Sequence, residues 1–209
     1  EAHLQGMVRA RGLVYPMVAA LYVQEDGCYS NLDGVDVWGV SRDARLYAGP
    51  HPVVAHPPCA RWCMLASLNE HRYGHKVGDD GGCFEAALAA VRTYGGVLEH
   101  PAFSKAWGRF GLPIPTEGHW TRGLFDKGWA ASVYQRNYGH PARKRTWLYY
   151  VGDILPPPLD WSAPEEPTAW VASDRPRAIA PKAQLTKKQA KATPEAFRAV
   201  LLDIARGAR

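Results

Sequence analysis

The stretch from Pro52 to Pro101 constrains the fold of this 209-residue chain more than any other. Pro52–Ala55 is a short apolar run stopped by His56-Pro57-Pro58, because proline cannot donate to a strand ladder. Gly78-Asp79-Asp80-Gly81-Gly82 is a loop able to cap a helix begun just after it. Phe84, Ala87, Leu88 and Val91 then fall at i, i+3, i+4 and i+7, one face of a helix. Gly95-Gly96 ends that helix, and Val97-Leu98-Glu99 is a brief strand halted by Pro101. Strand, helix and strand in this interval predict a βαβ unit.

The rest of the chain continues the alternation. Met17–Val23 has the length and apolarity of a strand, Ser41–Tyr47 predicts a helix, and Cys59–Leu68 predicts a helix beginning at or just after the cysteine. Ala102–Phe110 reads as a helix for which Glu99 is a possible N-cap. Ala130–Tyr134 and Thr146–Val151 read as strands around the loop Asn137–Arg145. Leu155–Pro181 is rich in Pro and Trp and has little periodicity. Thr193-Pro194 opens a last helix, with Thr as N-cap and Phe197, Val200, Leu201 and Ile204 on its apolar face. No internal repeat is present. The expectation is a single α/β domain over 7–209, with Glu1 to Gly6 an appended leader ahead of Met7.

Hydrophobic residues make up 46% and charged residues 22% of the chain, ordinary values for a soluble globular protein. No apolar run approaches the ~20 residues of a membrane span, so no membrane partner is expected. No signal-peptide pattern appears, so Cys28, Cys59, Cys63 and Cys83 are read as reduced thiols of a cytoplasmic protein. The net charge of +5 is unevenly placed. Lys182, Lys187, Lys188, Lys191, Arg198 and Arg206 load the C-terminal end, and Arg143, Lys144 and Arg145 form a second cluster. Such patches suit a polyanion, although a merely solvated basic surface would look the same. Eight Trp and ten Tyr are either core residues or platforms for stacked bases.

Three segments carry chemistry. His56-Pro57-Pro58-Cys59 follows a strand, the edge at which open α/β sheets place ligands. A thiol at a helix N-terminus is expected to have a lowered pKa and usable nucleophilicity; a buried structural cysteine is the plainer alternative. Val97-Leu98-Glu99-His100-Pro101 puts a carboxylate at a second strand end. Tyr138-Gly139-His140-Pro141-Ala142-Arg143-Lys144-Arg145 is a basic loop that could hold a phosphate or orient a base.

Together these residues resemble the DNA cytosine-C5 methyltransferase family, as a small, divergent, phage-type member. Pro57-Pro58-Cys59 matches the family's Pro-Cys nucleophile, and Glu99 matches the Glu of its Glu-Asn-Val motif. Asn137–Arg145, with the following strand and Val151-Gly152, looks like its Tyr-Gly-x-Pro-Gln-x-Arg-x-Arg segment. Thr193-Pro194 and the last helix look like its closing segment. The resemblance implies a Rossmann-like methyltransferase-type sheet, reduced in size. It also implies a flipped-out cytosine in the pocket, with Cys59 adding to C6 while Glu99 holds N3 and the exocyclic amine. His56, Pro57, Pro58, Tyr138, Arg143 and Lys144 become candidate substrate contacts, with Arg143 or Lys144 steadying the Cys59 loop, the base or a phosphate. Arg145, Lys187, Lys188 and Lys191 become candidate DNA contacts.

The departures are equally definite. The family holds S-adenosylmethionine on a glycine-rich loop after the first strand, with an acidic residue after the second. Here that place is Gln24-Glu25-Asp26-Gly27-Cys28-Tyr29, and Gln24–Ala55 has room for one crossover instead of two. Asp33, Asp36 and Asp43 could offer a carboxylate, and nothing selects among them. Ala60 and Ala142 replace the family's glutamines, and Thr146 stands at its second loop arginine. The short 153–192 segment replaces the target-recognition region, which predicts loose sequence preference or single-stranded DNA stacked on aromatics such as Trp161 and Trp170. The expected enzyme is therefore a monomeric cytosine-modifying protein of a bacterial or phage-infected cell. Cofactor use is open, with S-adenosylmethionine as one option, and deamination to uracil is favoured over methyl transfer. A C5-transferase, a non-catalytic DNA-binding relic, and a zinc hydrolase using Cys59, Cys63, His56, His71, His75 or His100 are the alternatives.

Overall fold

A computed structural model of the chain describes residues 7–10, 13–171 and 183–208. Lys182, residues 1–6 and the end of the Pro/Trp-rich stretch lie outside the described residues. A small antiparallel hairpin, β1 (Met7–Ala10) with β2 (Leu13–Pro16), precedes the main sheet. That sheet contains β3 (Val18–Leu21), β4 (Val35–Trp38), β5 (Val53–Ala55), β6 (Gly96–Pro101), β7 (Thr121–Arg122), β8 (Trp129–Tyr134) and β9 (Arg145–Val151). Its seven strands stand in the order β4-β3-β5-β6-β9-β8-β7. The first four are parallel to one another, and β9 is antiparallel to both β6 and β8.

Of the parallel strands, β3 and β5 are apolar throughout because both faces of the sheet are covered there. Leu21, Val53, Ala55 and Leu98 pack against Phe84, Leu88 and Val91 of α2 (Cys83–Tyr94). Val18, Ala20, Val54 and Val97 pack on the other face against Phe197, Leu201 and Ile204 of α5 (Glu195–Arg206). This is a single α/β domain with a mixed sheet between helices. The expected βαβ unit is β5, α2 and β6, with Val53 beside Gly96 and Ala55 beside Leu98. Gly96 has φ +117, and a Cβ there would lie 2.0 Å from the Val53 carbonyl oxygen. Asp80 caps α2 by accepting hydrogen bonds from Gly82 N at 3.1 Å and Phe84 N at 2.8 Å.

Several boundaries differ from the sequence reading. Ser41–Tyr47 yields only a 3-10 turn at Ala44–Leu46, held by the Asp43 carboxylate. Cys59–Leu68 does not form one helix. Trp62 N and Cys63 N both bond Cys59 O, which makes one isolated turn, and α1 begins later at Ala66–Tyr73. Ala102–Phe110 shrinks to α3, Lys105–Arg109, and its cap is Ser104, not Glu99. β6 continues through Pro101, whose place at the strand end needs no amide donor. The last helix has Pro194 at the cap position instead of Thr193. A short helix not expected from the sequence, α4 (Lys187–Lys191), is closed by a reciprocal Thr186–Gln189 capping box.

The sheet positions the site through its crossover. β3 pairs with β4 on one side and β5 on the other, so the connections diverge at the carboxyl ends of these strands. A crevice opens at such a point.

Candidate active site

His56 and Glu99 meet at the tips of the neighbouring parallel strands β5 and β6. Side chains alternate along β6, so Glu99 falls on the α5 side with Val97, and His100 on the α2 side with Leu98. Glu99 Oε2 lies 2.9 Å from His56 Nδ1, and Glu99 Oε1 accepts from Gln135 Nε2 at 3.2 Å. The other ring nitrogen, His56 Nε2, lies 2.9 Å from the Tyr29 hydroxyl. Gln135 also donates to Thr146 Oγ1 at 3.0 Å, and Thr146 Oγ1 donates to the Lys144 carbonyl at 3.1 Å. A carboxylate only accepts, so Nδ1 carries a hydrogen toward Glu99, and in a neutral ring Nε2 accepts from Tyr29.

Burial pushes the Glu99 carboxyl up, yet the hydrogen bond and charge of His56, with Lys144 and His100 nearby, outweigh it and hold the group at about 2. Glu99 is thus a carboxylate that is only 12% exposed. On the opposite face His100 is fully buried, with Nδ1 2.7 Å from Ser104 Oγ. Burial holds its imidazole down at about 4, so it is neutral.

Cys59 lies four residues beyond β5 and is half-buried. It feels the Glu99 charge, and Lys144 feels both, which puts the three groups within electrostatic range of one another. The sequence expectation of a lowered thiol pKa is corrected here. Burial pushes the Cys59 thiol up, the Glu99 carboxylate and Cys63 add to the rise, and Lys191 opposes it. The physical reason is that a single turn follows the cysteine in place of a helix, so no macrodipole acts on the sulfur. In the resting protein the sulfur is a thiol.

The remaining expected site residues divide. Pro57 is buried beside His56, and Pro58 is exposed at the rim. Lys144 turns inward from the loop before β9 with φ +43, and its Nζ donates to the Ala192 carbonyl at 2.8 Å, tying the end of α4 to the site. Lys187, Lys188 and Lys191 are exposed on α4. Arg143 points outward and pairs with Glu166 at 3.5 Å. Arg145 pairs with Glu117 and donates to Ser132 Oγ at 3.0 Å. Tyr138 is spent on packing: its ring meets Phe197, and its hydroxyl accepts from Asp160 N at 2.9 Å. Of the other basic residues, Arg198 donates to the Cys28 carbonyl at 2.7 Å and Arg206 pairs with Asp203.

Trp170 is 7% exposed, so it is not the stacking platform expected of it, while Trp161 is half-buried against the α5-side core. The burial of Trp170 follows from the 155–171 segment lying against the domain: Thr168 N and Ala169 N both bond Pro141 O. The exposed aromatic at this edge is Phe103, just past β6, with φ +61 and the Arg145 guanidinium 5.1 Å from its ring centre. Sequence reasoning missed Phe103, Tyr29 and Gln135. Tyr29 and Gln135 act across the sheet, and no local pattern marks either.

A cavity of about 850 Å³ opens at the carboxyl ends of β3 and β4, with the Cys83 thiol in its wall and Cys59 outside it. Pro58 is part of its wall, with Tyr22, Val23, Val40 and the carboxylates Glu25, Asp26 and Asp43. Of the three aspartates left open by the sequence, Asp36 is paired with Arg42, and Asp43, at the cavity, is paired through both oxygens with Arg45. The zinc ligand set does not assemble: among the described residues no three His, Cys, Asp or Glu side chains converge as metal donors. Among the same residues no helix is long and apolar enough to cross a membrane. The chain matches no protein-family model, and no curated protein or solved structure is significantly similar to it.

Proposed function

We propose that this protein is a DNA cytosine-modifying enzyme in which Cys59 adds to C6 of a flipped base and Glu99 holds N3 and the exocyclic amine. One observation carries the reading: a carboxylate fixed at both oxygens stands within electrostatic range of a half-buried thiol at adjacent strand tips. Fixed acceptors of this kind recognise a nucleobase edge, and a nearby sulfur is the nucleophile the chemistry needs. The exposed lysines of α4, tied to the site through Lys144, suit the phosphates of a strand delivered there. Phe103 and the Arg145 guanidinium offer a stacking surface at the same edge. The parallel strands and the crevice between their connections agree with a reduced methyltransferase-type sheet.

Addition of sulfur to C6, with a proton taken up at C5, saturates the C5–C6 bond and weakens the hold of C4 on its amine. Water then adds at C4, ammonia leaves, and loss of the C5 proton with expulsion of the Cys59 sulfur from C6 restores the ring as uracil. Desolvation of the Cys59 thiol lowers its resting reactivity and confines the nucleophile to the complex with a base.

The cavity favours one second reading, transfer of a group to C5. S-adenosylmethionine fits its size and its carboxylates, although no glycine-rich turn lines it. Glu25 and Asp26 would hold the polar groups of that cofactor, and Val23, Val40 and Tyr22 its apolar parts. Bound there, it would supply a methyl group.

Nucleoside mass spectrometry separates the readings after incubation with single- and double-stranded oligonucleotides, with and without S-adenosylmethionine. Conversion of cytosine to uracil supports deamination, and a methyl gain supports transfer. Either product must vanish in Cys59→Ala; an unmodified substrate under every condition overturns both.

A further inference from the structure

Sulfur addition at C6 requires N3 to take up a proton, and an ionised Glu99 has none of its own. Two side chains donate hydrogen bonds to it, Gln135 and His56. An amide does not release its hydrogen, whereas an imidazolium does. We propose, resting on the cytosine reading, that His56 is a positioning residue that acts through Glu99 as the proton source for N3, with Tyr29 fixing its ring.

The step balances. The Cys59 thiol gives its hydrogen to solvent as the sulfur electron pair forms the S–C6 bond, the C5=C6 pair moves to C4=C5, and the C4=N3 pair moves onto N3. N3 takes a proton from the Glu99 carboxyl, which receives the Nδ1 hydrogen of doubly protonated His56. The imidazole ends neutral with its remaining hydrogen on Nε2, still donated to the Tyr29 oxygen 2.9 Å away. Tyr29 is buried and supports every state of the ring, accepting from Nε2–H of the imidazolium and of the spent ring and donating to Nε2 in a neutral ring with its hydrogen on Nδ1. Gln135 keeps the carboxylate in plane while the hydrogen passes.

The charges facing this relay come from every neighbouring element. Lys144 from the loop before β9 and His100 from β6 face Glu99. Cys28, with Arg198 of α5 behind it, faces Tyr29. Cys59 and Lys191 stand on the substrate side. Glu99 is the carboxylate of this set that meets His56.

Exchange of the cytosine C5 hydrogen for deuterium in D₂O reads C6 addition without regard to the final product. Wild-type protein on a cytosine oligonucleotide should exchange. His56→Gln retains an amide donor to Glu99 without a transferable proton; exchange should drop about 100-fold. Tyr29→Phe removes the hydrogen-bond partner of His56 Nε2 and should lower exchange by a smaller factor. A carbon-13 titration of the Glu99 carboxyl should show its midpoint rising in His56→Gln, a change that mere loss of packing does not produce. Wild-type exchange with an unaltered rate in His56→Gln, or in Tyr29→Phe, overturns the relay alone. No exchange in the wild type overturns the cytosine reading and the relay together.

Discussion

Glu99 shows how one carboxylate can be stripped of water and stay charged. Two hydrogen-bond donors and three neighbouring cationic or imidazole groups outweigh its burial, whereas His100 on the opposite face has burial as its dominant influence and stays neutral. Both pKa values are lower in the folded protein, so the unfolded chain binds protons that the folded protein refuses. His100 does so between pH 6.5 and about 4, and Glu99 between 4.5 and about 2. Stability is complete above these windows and falls as pH drops through them. The His100 share is about 3 kcal/mol, since a tenfold change in proton affinity corresponds to about 1.4 kcal/mol. Urea unfolding between pH 7 and 4 should show the decline, and His100→Gln should flatten it. Cys59→Ala, which removes only a half-buried thiol, should leave stability nearly unchanged while abolishing base modification. The types of residue at positions 56, 59 and 99 were legible in the sequence because strand ends and prolines mark them. Tyr29 and Gln135 were not, because each reaches the site from a different strand connection.

At the scale of elements, helix α2 and its cap were legible since the apolar period and the Asp-Gly loop are local signals. Asp80 carries more than its helix end: Trp62 Nε1 also donates to it at 2.8 Å, which pins the turn after Cys59. Asp80→Ala should destabilise the protein by about 1–2 kcal/mol in thermal or urea unfolding, with the cap accounting for most of it. Gly96→Ala should cost several kcal/mol and reduce soluble yield, because its Cβ would strike the Val53 backbone and its φ is foreign to alanine. The helix expected at Cys59–Leu68 failed for a tertiary reason. The Trp62 side chain is drawn into the core beside Phe84 and Phe110, and the chain uses a turn instead of a continuous helix to deliver it. β4 escaped notice as a four-residue strand with little local signal, recruited by pairing with β3.

On the scale of the whole molecule, charge and site are joined by α4. Its exposed lysines follow a stretch with no periodicity, and the hydrogen bond from Lys144 to Ala192 ties this helix to the site. Replacing Lys187, Lys188 and Lys191 by alanine should weaken binding of a single-stranded oligonucleotide. The slope of log affinity against log salt should shrink by about 0.7 for each phosphate left without its lysine, measured by fluorescence anisotropy. A slope identical to the wild type would remove α4 from the DNA face. The amino-acid sequence by itself determined the α/β class, the βαβ unit and the residues placed at strand tips, because apolar period, proline and glycine act over a few neighbouring residues. Only the tertiary structure decided the thiol's resting state, the partners of Glu99, and the burial of Trp170. Those properties depend on groups far apart in the chain, whose dehydration and mutual fields exist only once the sheet and both helical layers have closed around them.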